Sequence, residues 1–204
     1  MPKKIRTSRD GARAETPRGP CRNSWQIHNL QECDLVITTA CSEHENFIML
    51  LSAWARSPVF DELPFTTISL NKNYAGRLHR DSGNFGPSIG LAIGPFTGGK
   101  LRYWAEDSHK GMRGSQVEDA RAEPSVALNI KQGVVFDSNC AHEVEPFEGE
   151  RYSLIFFTLK KYERASSSVK RRMVKMGVDW PTAKVLKRLS ANVAGLPRSS
   201  KKDA

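Results

Sequence analysis

Residues 149–159 have the sequence Gly-Glu-Arg-Tyr-Ser-Leu-Ile-Phe-Phe-Thr-Leu. The run is rich in aromatic and apolar residues and follows a glycine, as β-strands often do. Side chains at positions i and i+2 of a strand point to the same side. The residues expected on one face are Arg151, Ser153, Ile155, Phe157 and Leu159. The run therefore predicts a strand whose one face presents a guanidinium group, a hydroxyl group and an aromatic ring.

Six further segments also have the length and composition of short strands, and glycine-containing turns separate several of them. These segments are 66–71, 89–94, 101–104, 125–130, 134–137 and 143–145. Many short strands of this kind predict a mostly β fold with flanking helices. We expect its core to be a double-stranded β-helix of the jelly-roll or cupin-like type, whose mouth can hold a metal.

Helices are expected on both sides of this β-rich region. Ser42 and Glu45 have capping-box spacing, and the apolar stripe Phe47, Leu50, Leu51 and Trp54 predicts a helix that packs outside a sheet. Two basic amphipathic helices are expected after residue 160, with stripes at Val169, Met173 and Met176 and then at Val185, Leu186, Leu189 and Val193. Residues 106–123 lack clear periodicity and predict a surface loop.

The net charge of +9 is distributed unevenly along the chain. Residues 1–23 carry 7 Lys/Arg against 2 Asp/Glu, residues 24–159 carry 11 against 17, and residues 160–204 carry 13 against 3. We therefore predict a basic disordered N-terminal arm (1–23), an acidic double-stranded β-helix domain (24–159), and a basic helical C-terminal extension with a disordered tail (160–204). Basic arms of this kind indicate attraction to a polyanion, with nucleic acid as the expected partner. Solvated tails are the alternative.

Four cysteines without a disulfide-dense pattern favour a reducing intracellular compartment, nuclear if the source is eukaryotic. No apolar stretch approaches the length of a membrane span, so no membrane association is expected. Organelle targeting by the Arg-rich N-terminus stays open. The sequence gives no sign of an obligate protein partner.

His79 and Asp81 lie two residues apart directly after a predicted strand, and His142 follows another predicted strand. An extended segment would present His79 and Asp81 to one ion, and His142 could supply the third ligand. Two imidazoles and one carboxylate on one face of an octahedron are typical of non-haem Fe(II) sites that activate O₂. Three unconnected surface residues are the alternative interpretation.

Arg151 follows His142 and opens the strand quoted above. A planar guanidinium group suits two parallel hydrogen bonds to a carboxylate. Together with the metal ligands, it predicts an anchor for the distal carboxylate of a 2-oxo acid such as 2-oxoglutarate. We therefore expect Fe(II) as the metal, with 2-oxoglutarate and O₂ as co-substrates.

At these residues the sequence resembles the TET/JBP family of Fe(II)/2-oxoglutarate dioxygenases, which oxidise the 5-methyl group of pyrimidines in DNA. The resemblance covers roughly residues 66–160. Its carriers are His79-Arg80-Asp81-Ser82-Gly83-Asn84, Gly94-Pro95-Phe96-Thr97-Gly98-Gly99-Lys100-Leu101 and Gly149-Glu150-Arg151-Tyr152-Ser153-Leu154-Ile155-Phe156-Phe157. Asn84, three residues after Asp81, and the Arg-x-Ser-Leu-x-Phe run are its more particular features.

The resemblance implies a role for each matching residue. His79, Asp81 and His142 would ligate iron and form the catalytic centre. Arg151 and Ser153 would hold 2-oxoglutarate, Asn84 would hydrogen-bond the target base, and Phe157 would stack on it. The family members best known for recognising 5-methylcytosine carry histidine where this chain has Leu159, so thymine becomes a candidate substrate beside 5-methylcytosine.

Two other functions fit the same residues. One is an oxygenase of the same fold that acts on a protein or small molecule, for which the basic arms would be irrelevant. The other is a catalytically silent nucleic-acid-binding homologue. The retention of His79, Asp81, His142 and Arg151 argues against the silent homologue.

Overall fold

The computed structural model of the chain describes residues 24–25, 27–30, 34–55, 64–108, 110–111, 115–190 and 193. The predicted N-terminal arm, residues 1–23, and residues 194–204 of the predicted tail lie outside the described residues. The described part contains the strands β1 (Ser24–Trp25), β2 (Ile27–Leu30), β3 (Asp34–Ile37), β4 (Thr67–Lys72), β5 (Ser88–Ile93), β6 (Phe96–Gly98), β7 (Leu101–Tyr103), β8 (Val126–Leu128), β9 (Val134–Phe136), β10 (His142–Val144), β11 (Phe147–Gly149) and β12 (Tyr152–Phe157). Its α-helices are α1 (Thr39–Glu43), α2 (Glu45–Ala55), α3 (Ser167–Lys175) and α4 (Ala183–Ser190).

Two antiparallel sheets form the core of the molecule. The larger has the strand order β1-β4-β12-β5-β9, and the smaller has the order β10-β7-β8. A backbone bridge between His79 and His142 adds the segment around His79 to the free edge of β10. After β4 the chain passes to this smaller sheet, returns in β5, crosses in β7 and β8, returns in β9, crosses in β10, and ends in β12. This alternation is that of a double-stranded β-helix, as the sequence predicted.

The predicted strands are all present, with ends within two residues of their expected positions. The strand predicted from residues 152–159 is the central strand β12, which pairs with β4 on one side and β5 on the other. The short strands β6 and β11, which pair with each other, were not predicted because three residues carry no usable alternation.

Each face of the larger sheet contributes to a different hydrophobic cluster. The inner cluster fills the space between the sheets and includes Ala92 and Phe136 from the larger sheet, with Leu101 and Tyr103 from the smaller. The outer cluster joins the other face of the larger sheet to all four α-helices. Its members include Ile68, Leu154, Phe156, Ile48, Leu51, Met173, Leu186 and Leu189. The helices therefore cover one face of the sheet and leave its inner face to the barrel.

The helix predicted from the capping-box signature differs from the expectation in two respects. The first helix begins earlier, because the Thr38 side chain accepts the Cys41 N–H and caps α1. The buried face of α2 consists of Ile48, Leu51, Ser52 and Ala55, whereas Leu50 is 64% exposed. Residues 47–51 are all apolar, so two adjacent stripes have the same helical spacing, and contact with the sheet selects the second.

The two predicted C-terminal helices are present as α3 and α4. Of the first predicted apolar stripe, Met173 and Met176 are buried. Of the second stripe, Leu186, Leu189 and Val193 are buried. Both helices pack on the outer cluster with their basic residues on the opposite side, so residues 160–190 are an integral part of the fold.

Residues 106–123 were expected to form a surface loop, but they contain a 3₁₀ helix (Ser115–Ala122) and the buried residues Asp107 and Ala120. Arg80 Nε and Nη2 donate to the two oxygens of Asp107, both at 2.6 Å, and the two side chains are 1% and 0% exposed. The N–H of Ala141 donates to the same carboxylate at 2.6 Å. The buried ion pair therefore fastens this segment to the backbone beside His79, Asp81 and His142.

We expect Asp107→Ala to lower the free energy of unfolding by about 3–5 kcal/mol, because it removes the carboxylate that pairs with the buried Arg80 charge. Urea denaturation followed by circular dichroism measures this loss. The matched control is Glu118→Ala, which breaks the exposed Arg121–Glu118 pair and should cost at most about 1 kcal/mol. Equal losses in the two variants would contradict the assignment of Arg80–Asp107 as a stabilising constraint.

Candidate metal centre and anion pocket

The structure brings His79, Asp81 and His142 together at one end of the barrel. One potential ligand atom from each of the three side chains lies within 4.8 Å of the others. The backbone explains this proximity. His79 and His142 exchange both backbone hydrogen bonds at 3.0 Å, and the N–H of Asp81 donates to the carbonyl of Ser138 at 2.8 Å. Directly opposed residues of an antiparallel pair place their side chains on the same side, and Asp81 follows at i+2.

Both imidazoles are oriented by backbone carbonyls. His79 Nδ1 lies 2.6 Å from the carbonyl oxygen of Arg77, and His142 Nδ1 lies 2.9 Å from that of Cys140. A carbonyl only accepts, so each Nδ1 carries the hydrogen and each Nε2 keeps its lone pair. Such a bond from the second ring nitrogen is the usual way in which a protein orients a metal-binding histidine.

The protonation state of His142 also suits metal binding. Its side chain is buried, and burial, followed by the electrostatic interaction with nearby His79, lowers the pKa of His142 below its usual value. The ring is therefore neutral at physiological pH, which is the form that binds a metal. Two imidazoles and one carboxylate form the donor set that non-haem Fe(II) sites use, so these residues fit that ion.

Asn84 lies directly behind the carboxylate of this cluster. Its Nδ2 donates to Asp81 Oδ2 at 3.1 Å and to Ser138 Oγ at 2.8 Å, and Ser138 Oγ lies 2.9 Å from Ser88 Oγ. Both amide hydrogens of Asn84 are thus used inside the protein. Asn84, the predicted reader of the base, therefore has only Oδ1 left as an acceptor for a substrate. Its amide group orients the carboxylate of Asp81. Sequence reasoning did not identify Ser88 and Ser138, because only the fold brings these residues next to Asn84.

Cys140 does not take part in the cluster. Its thiol is buried, and burial raises the pKa of Cys140 to about 11, so it stays protonated and unreactive.

Arg151 directly precedes β12, and its side chain is buried inside the barrel. Its side chain is 1% exposed between the rings of Phe96 and Phe147, whose centroids lie 5.5 Å and 5.3 Å from its Cζ. Nη1 donates to the carbonyl of Tyr74 at 3.4 Å, but Nε and Nη2 have no hydrogen-bond partner among the described residues. Burial lowers the pKa of Arg151 to about 10, so the group is still a cation at neutral pH.

A glycine packs directly against this cation. A Cβ atom on Gly99 would lie 3.2 Å from Arg151 Nε and 3.1 Å from the Cβ of Phe147. Gly99 also has a positive φ of 64°, which favours glycine. An unpaired buried charge costs several kcal/mol. An anion that accepts from Nε and Nη2 would remove this penalty, so these two nitrogens are candidate donors to an anion.

The strand register places further polar groups on the inner face. Ser153 pairs with Asn71 of β4, and Ile155 pairs with Ser69. Cross-strand partners share a face, so Ser153, Asn71 and Ser69 line the barrel on the same side as Arg151. Sequence analysis identified Ser153, but it could not identify Asn71 and Ser69 because their positions depend on the pairing of β4 with β12.

Phe157 has the predicted orientation, whereas Leu159 does not. Phe157 is buried opposite Thr67 and belongs to none of the hydrophobic clusters formed by the described residues. Leu159 packs against the outer cluster with Leu154 and Phe156. The alternation breaks because β12 ends at Phe157 and the N–H of Leu159 donates to Thr66 Oγ1. The expectation that Leu159 continues the inner-face alternation was wrong, although its backbone forms an isolated antiparallel bridge with Asn84.

Comparison with protein-family models and with curated protein sequences finds no match. Among solved structures, the chain is similar to NgTET1 in complex with 5mC DNA, with 13% identity, a TM-score of 0.44, and coverage of 68% of this chain and 60% of that one. It is also similar to a 2OG-Fe(II) oxygenase family oxidoreductase from Burkholderia pseudomallei, with 17% identity, a TM-score of 0.41, and coverage of 69% of this chain and 70% of that one. A third similar structure is a Pseudomonas putida prolyl-4-hydroxylase, with 21% identity, a TM-score of 0.30, and coverage of 59% of this chain and 66% of that one. The chain thus spans 60% of the length of NgTET1. At these scores the likeness does not identify a substrate or an activity, and the conclusions below depend on side-chain geometry. Among the described residues, no helix is long and apolar enough to cross a membrane.

We expect Asn84→Ala to weaken metal binding by about 10- to 100-fold, because Asp81 loses the group that orients it. Titration with Mn(II) under anaerobic conditions, followed by the electron paramagnetic resonance of the free ion, measures the dissociation constant without turnover. Asn129→Ala, which removes an exposed amide at a 3₁₀-helix cap, is the matched control and should bind Mn(II) normally. Unchanged affinity in Asn84→Ala would mean that its bond to Asp81 does not orient the ligand.

Proposed function

We propose that the protein is an Fe(II)/2-oxoglutarate-dependent dioxygenase that hydroxylates the 5-methyl group of a pyrimidine base, thymine or 5-methylcytosine, in DNA. The observation that carries the proposal is the buried, incompletely paired guanidinium of Arg151, in the same barrel as a cluster of two histidines and one aspartate. A metal site alone fits many reactions. A metal site that shares a barrel with a pocket for a carboxylate specifically fits a 2-oxo acid co-substrate.

His79, Asp81 and His142 would hold Fe(II) through two Nε2 atoms and a carboxylate oxygen, and Arg151 and Ser153 would hold the distal carboxylate of 2-oxoglutarate. When bound, Fe(II), 2-oxoglutarate and O₂ supply the oxidation, in which 2-oxoglutarate gives CO₂ and succinate and one oxygen atom enters the methyl C–H bond. The apolar walls of the inner cluster exclude water from the inner part of the barrel. The chain itself contributes orientation and electrostatics.

The substrate assignment is supported by Phe157 and by Asn84. Phe157 is an inward-facing aromatic ring outside the hydrophobic clusters, and Asn84 keeps one acceptor, Oδ1, for an N–H group on the edge of a base. A base must leave the duplex to reach such a site, and stacking on an aromatic ring stabilises the flipped state. The sequence resemblance to the TET/JBP family at Asn84 and at the Arg-x-Ser-Leu-x-Phe run supports the same assignment.

The charge of the C-terminal segment supports DNA as the partner. Residues 160–190 carry 10 Lys/Arg against 2 Asp/Glu, and the exposed sides of α3 and α4 hold most of this charge. Lysine and arginine side chains on such surfaces bind phosphates with a strong dependence on salt.

We expect Arg151→Met to raise the Michaelis constant for 2-oxoglutarate by roughly 10- to 150-fold, which corresponds to the 1.5–3 kcal/mol of a charge-assisted hydrogen bond. Arg151→Lys should have an intermediate effect, because an ammonium group supplies charge without the planar fork. Succinate release at varied 2-oxoglutarate concentration measures both constants. A Michaelis constant that stayed at the wild-type value in Arg151→Met would remove Arg151 from the co-substrate pocket.

The decisive experiment is incubation of the protein with Fe(II), ascorbate, 2-oxoglutarate and matched oligonucleotides that carry thymine or 5-methylcytosine at one position. We expect mass spectrometry of the nucleosides to detect the 5-hydroxymethyl product, and His79→Ala, Asp81→Ala or His142→Ala to abolish it. Succinate release without any base product would favour a protein or small-molecule substrate. DNA binding without succinate release would favour a catalytically silent binding homologue.

A further inference from the structure

The loop that follows Asp81 runs along the rim of the metal site. The carbonyl of Gly83 accepts the N–H of Lys160 at 2.8 Å, and the N–H of Phe85 donates to the carbonyl of Thr158 at 2.8 Å. On its other side, Gly86 lies against the Leu186 side chain of α4, since a Cβ atom at Gly86 would be 3.4 Å from two Leu186 atoms. The loop is thus held between the end of the central strand and a basic helix.

Phe85 projects from this loop into solvent next to the buried Asn84. Phe85 is 43% exposed. The ring is not loose, because it packs on the ring of Tyr162 with centroids 5.8 Å apart and planes inclined by 32°. Tyr162 is buried and is supported in turn by Trp180 at 6.5 Å. One side of the Phe85 ring is therefore supported, while much of the ring stays open to an incoming partner.

Lys160 and Lys161 immediately precede Tyr162, the residue on which the Phe85 ring packs. Both are exposed, and Lys160 is the residue whose backbone pairs with Gly83 of the loop. Lys161 has the left-handed backbone conformation, with a φ of 65°, at the point where the chain turns from β12 towards the helices. An aromatic ring beside two flexible ammonium groups is the combination by which proteins hold single-stranded nucleic acid, with bases on the ring and phosphates on the lysines.

We propose that Phe85, Lys160 and Lys161 form a docking surface for a single-stranded segment of DNA next to the base that enters the site. This inference rests on the proposed function, because it takes DNA as the substrate. Phe85 stacks on the exposed face of the base beside the extruded one, and the two lysines contact the phosphates that flank it. A ring needs an unstacked base face, so a single-stranded segment is bound in preference to an intact duplex.

The test is the binding of a fluorescein-labelled 12-nucleotide DNA, single-stranded or annealed, measured by fluorescence anisotropy without Fe(II) over a range of salt concentrations. Phe85→Ala should weaken single-strand binding by about 5- to 150-fold with an unchanged salt slope, and Phe85→Trp should restore it. The double variant Lys160→Ala/Lys161→Ala should reduce the salt slope by about 1.4, which is two phosphate contacts at about 0.7 each.

Two matched variants control for unspecific effects. Phe47→Ala removes an aromatic ring of similar exposure (36%) on α2, and Lys72→Ala removes a lysine at the opposite end of β4 from Thr67. Both should bind the single strand as the wild type does. Circular dichroism melting shows whether Phe85→Ala is folded, and Phe85→Trp keeps the test informative if it is not.

The outcomes separate the docking surface from the proposed activity. Binding within twofold of wild type in both Phe85→Ala and the double lysine variant, or equal affinity for single strand and duplex, would overturn the docking surface. Succinate release by the wild type, measured in parallel, tests the oxygenase independently. If binding depends on Phe85 while succinate release is absent, the docking surface stands and the oxygenase proposal fails.

Discussion

The buried ion pair between Arg80 and Asp107 is the constraint on which the geometry of the metal site depends. Arg80 lies between His79 and Asp81 in sequence, so its side chain points away from the site when theirs point into it. Its partner Asp107 also accepts the N–H of Ala141, the residue before His142. One carboxylate therefore fixes the backbone on both sides of the cluster. Breaking such a pair leaves a buried charge without compensation, so the segment around Asp107 cannot move away without a cost of several kcal/mol.

Arg151 is also a buried arginine, but unlike Arg80 it is not paired with a carboxylate of the residues that the structure describes. Both arginines are almost fully buried, but Arg80 has a carboxylate on two of its nitrogens, whereas two nitrogens of Arg151 have no partner among the described residues. A protein can maintain such an unpaired charge only at the expense of its own stability. The rigid surroundings of Arg151, with an aromatic ring on each side and a glycine in contact, keep its open nitrogens in place for an anion. Under the proposed function, a carboxylate that accepts from Nε and Nη2 would restore this stability.

The sequence was sufficient for those parts of the site that depend on local geometry. His79 and Asp81 follow from i, i+2 alternation, and Arg151, Ser153 and Phe157 from the same rule within one strand. Residues brought in by cross-strand register, such as Asn71 and Ser138, have no local signal. The error at Leu159 arose because alternation was extended beyond the end of β12, where a side-chain hydroxyl replaces the ladder partner. The buried stripe of α2 could not be chosen because neighbouring apolar residues offer two stripes, and only the sheet distinguishes them.

The loop between Asp81 and Gly86 links the metal site to the rim in very few residues. Asn84 is buried and donates to the carboxylate of Asp81, and Phe85, the next residue, is exposed on the surface. The backbone on either side of Asn84 is hydrogen-bonded to Thr158 and Lys160. A bound partner that displaced Phe85 would therefore also displace Asn84. A partner that binds at Phe85 therefore acts on the residue next to Asn84, whose side chain donates to Asp81. The proposed docking surface therefore uses the exposed side of the same loop whose buried side holds Asp81.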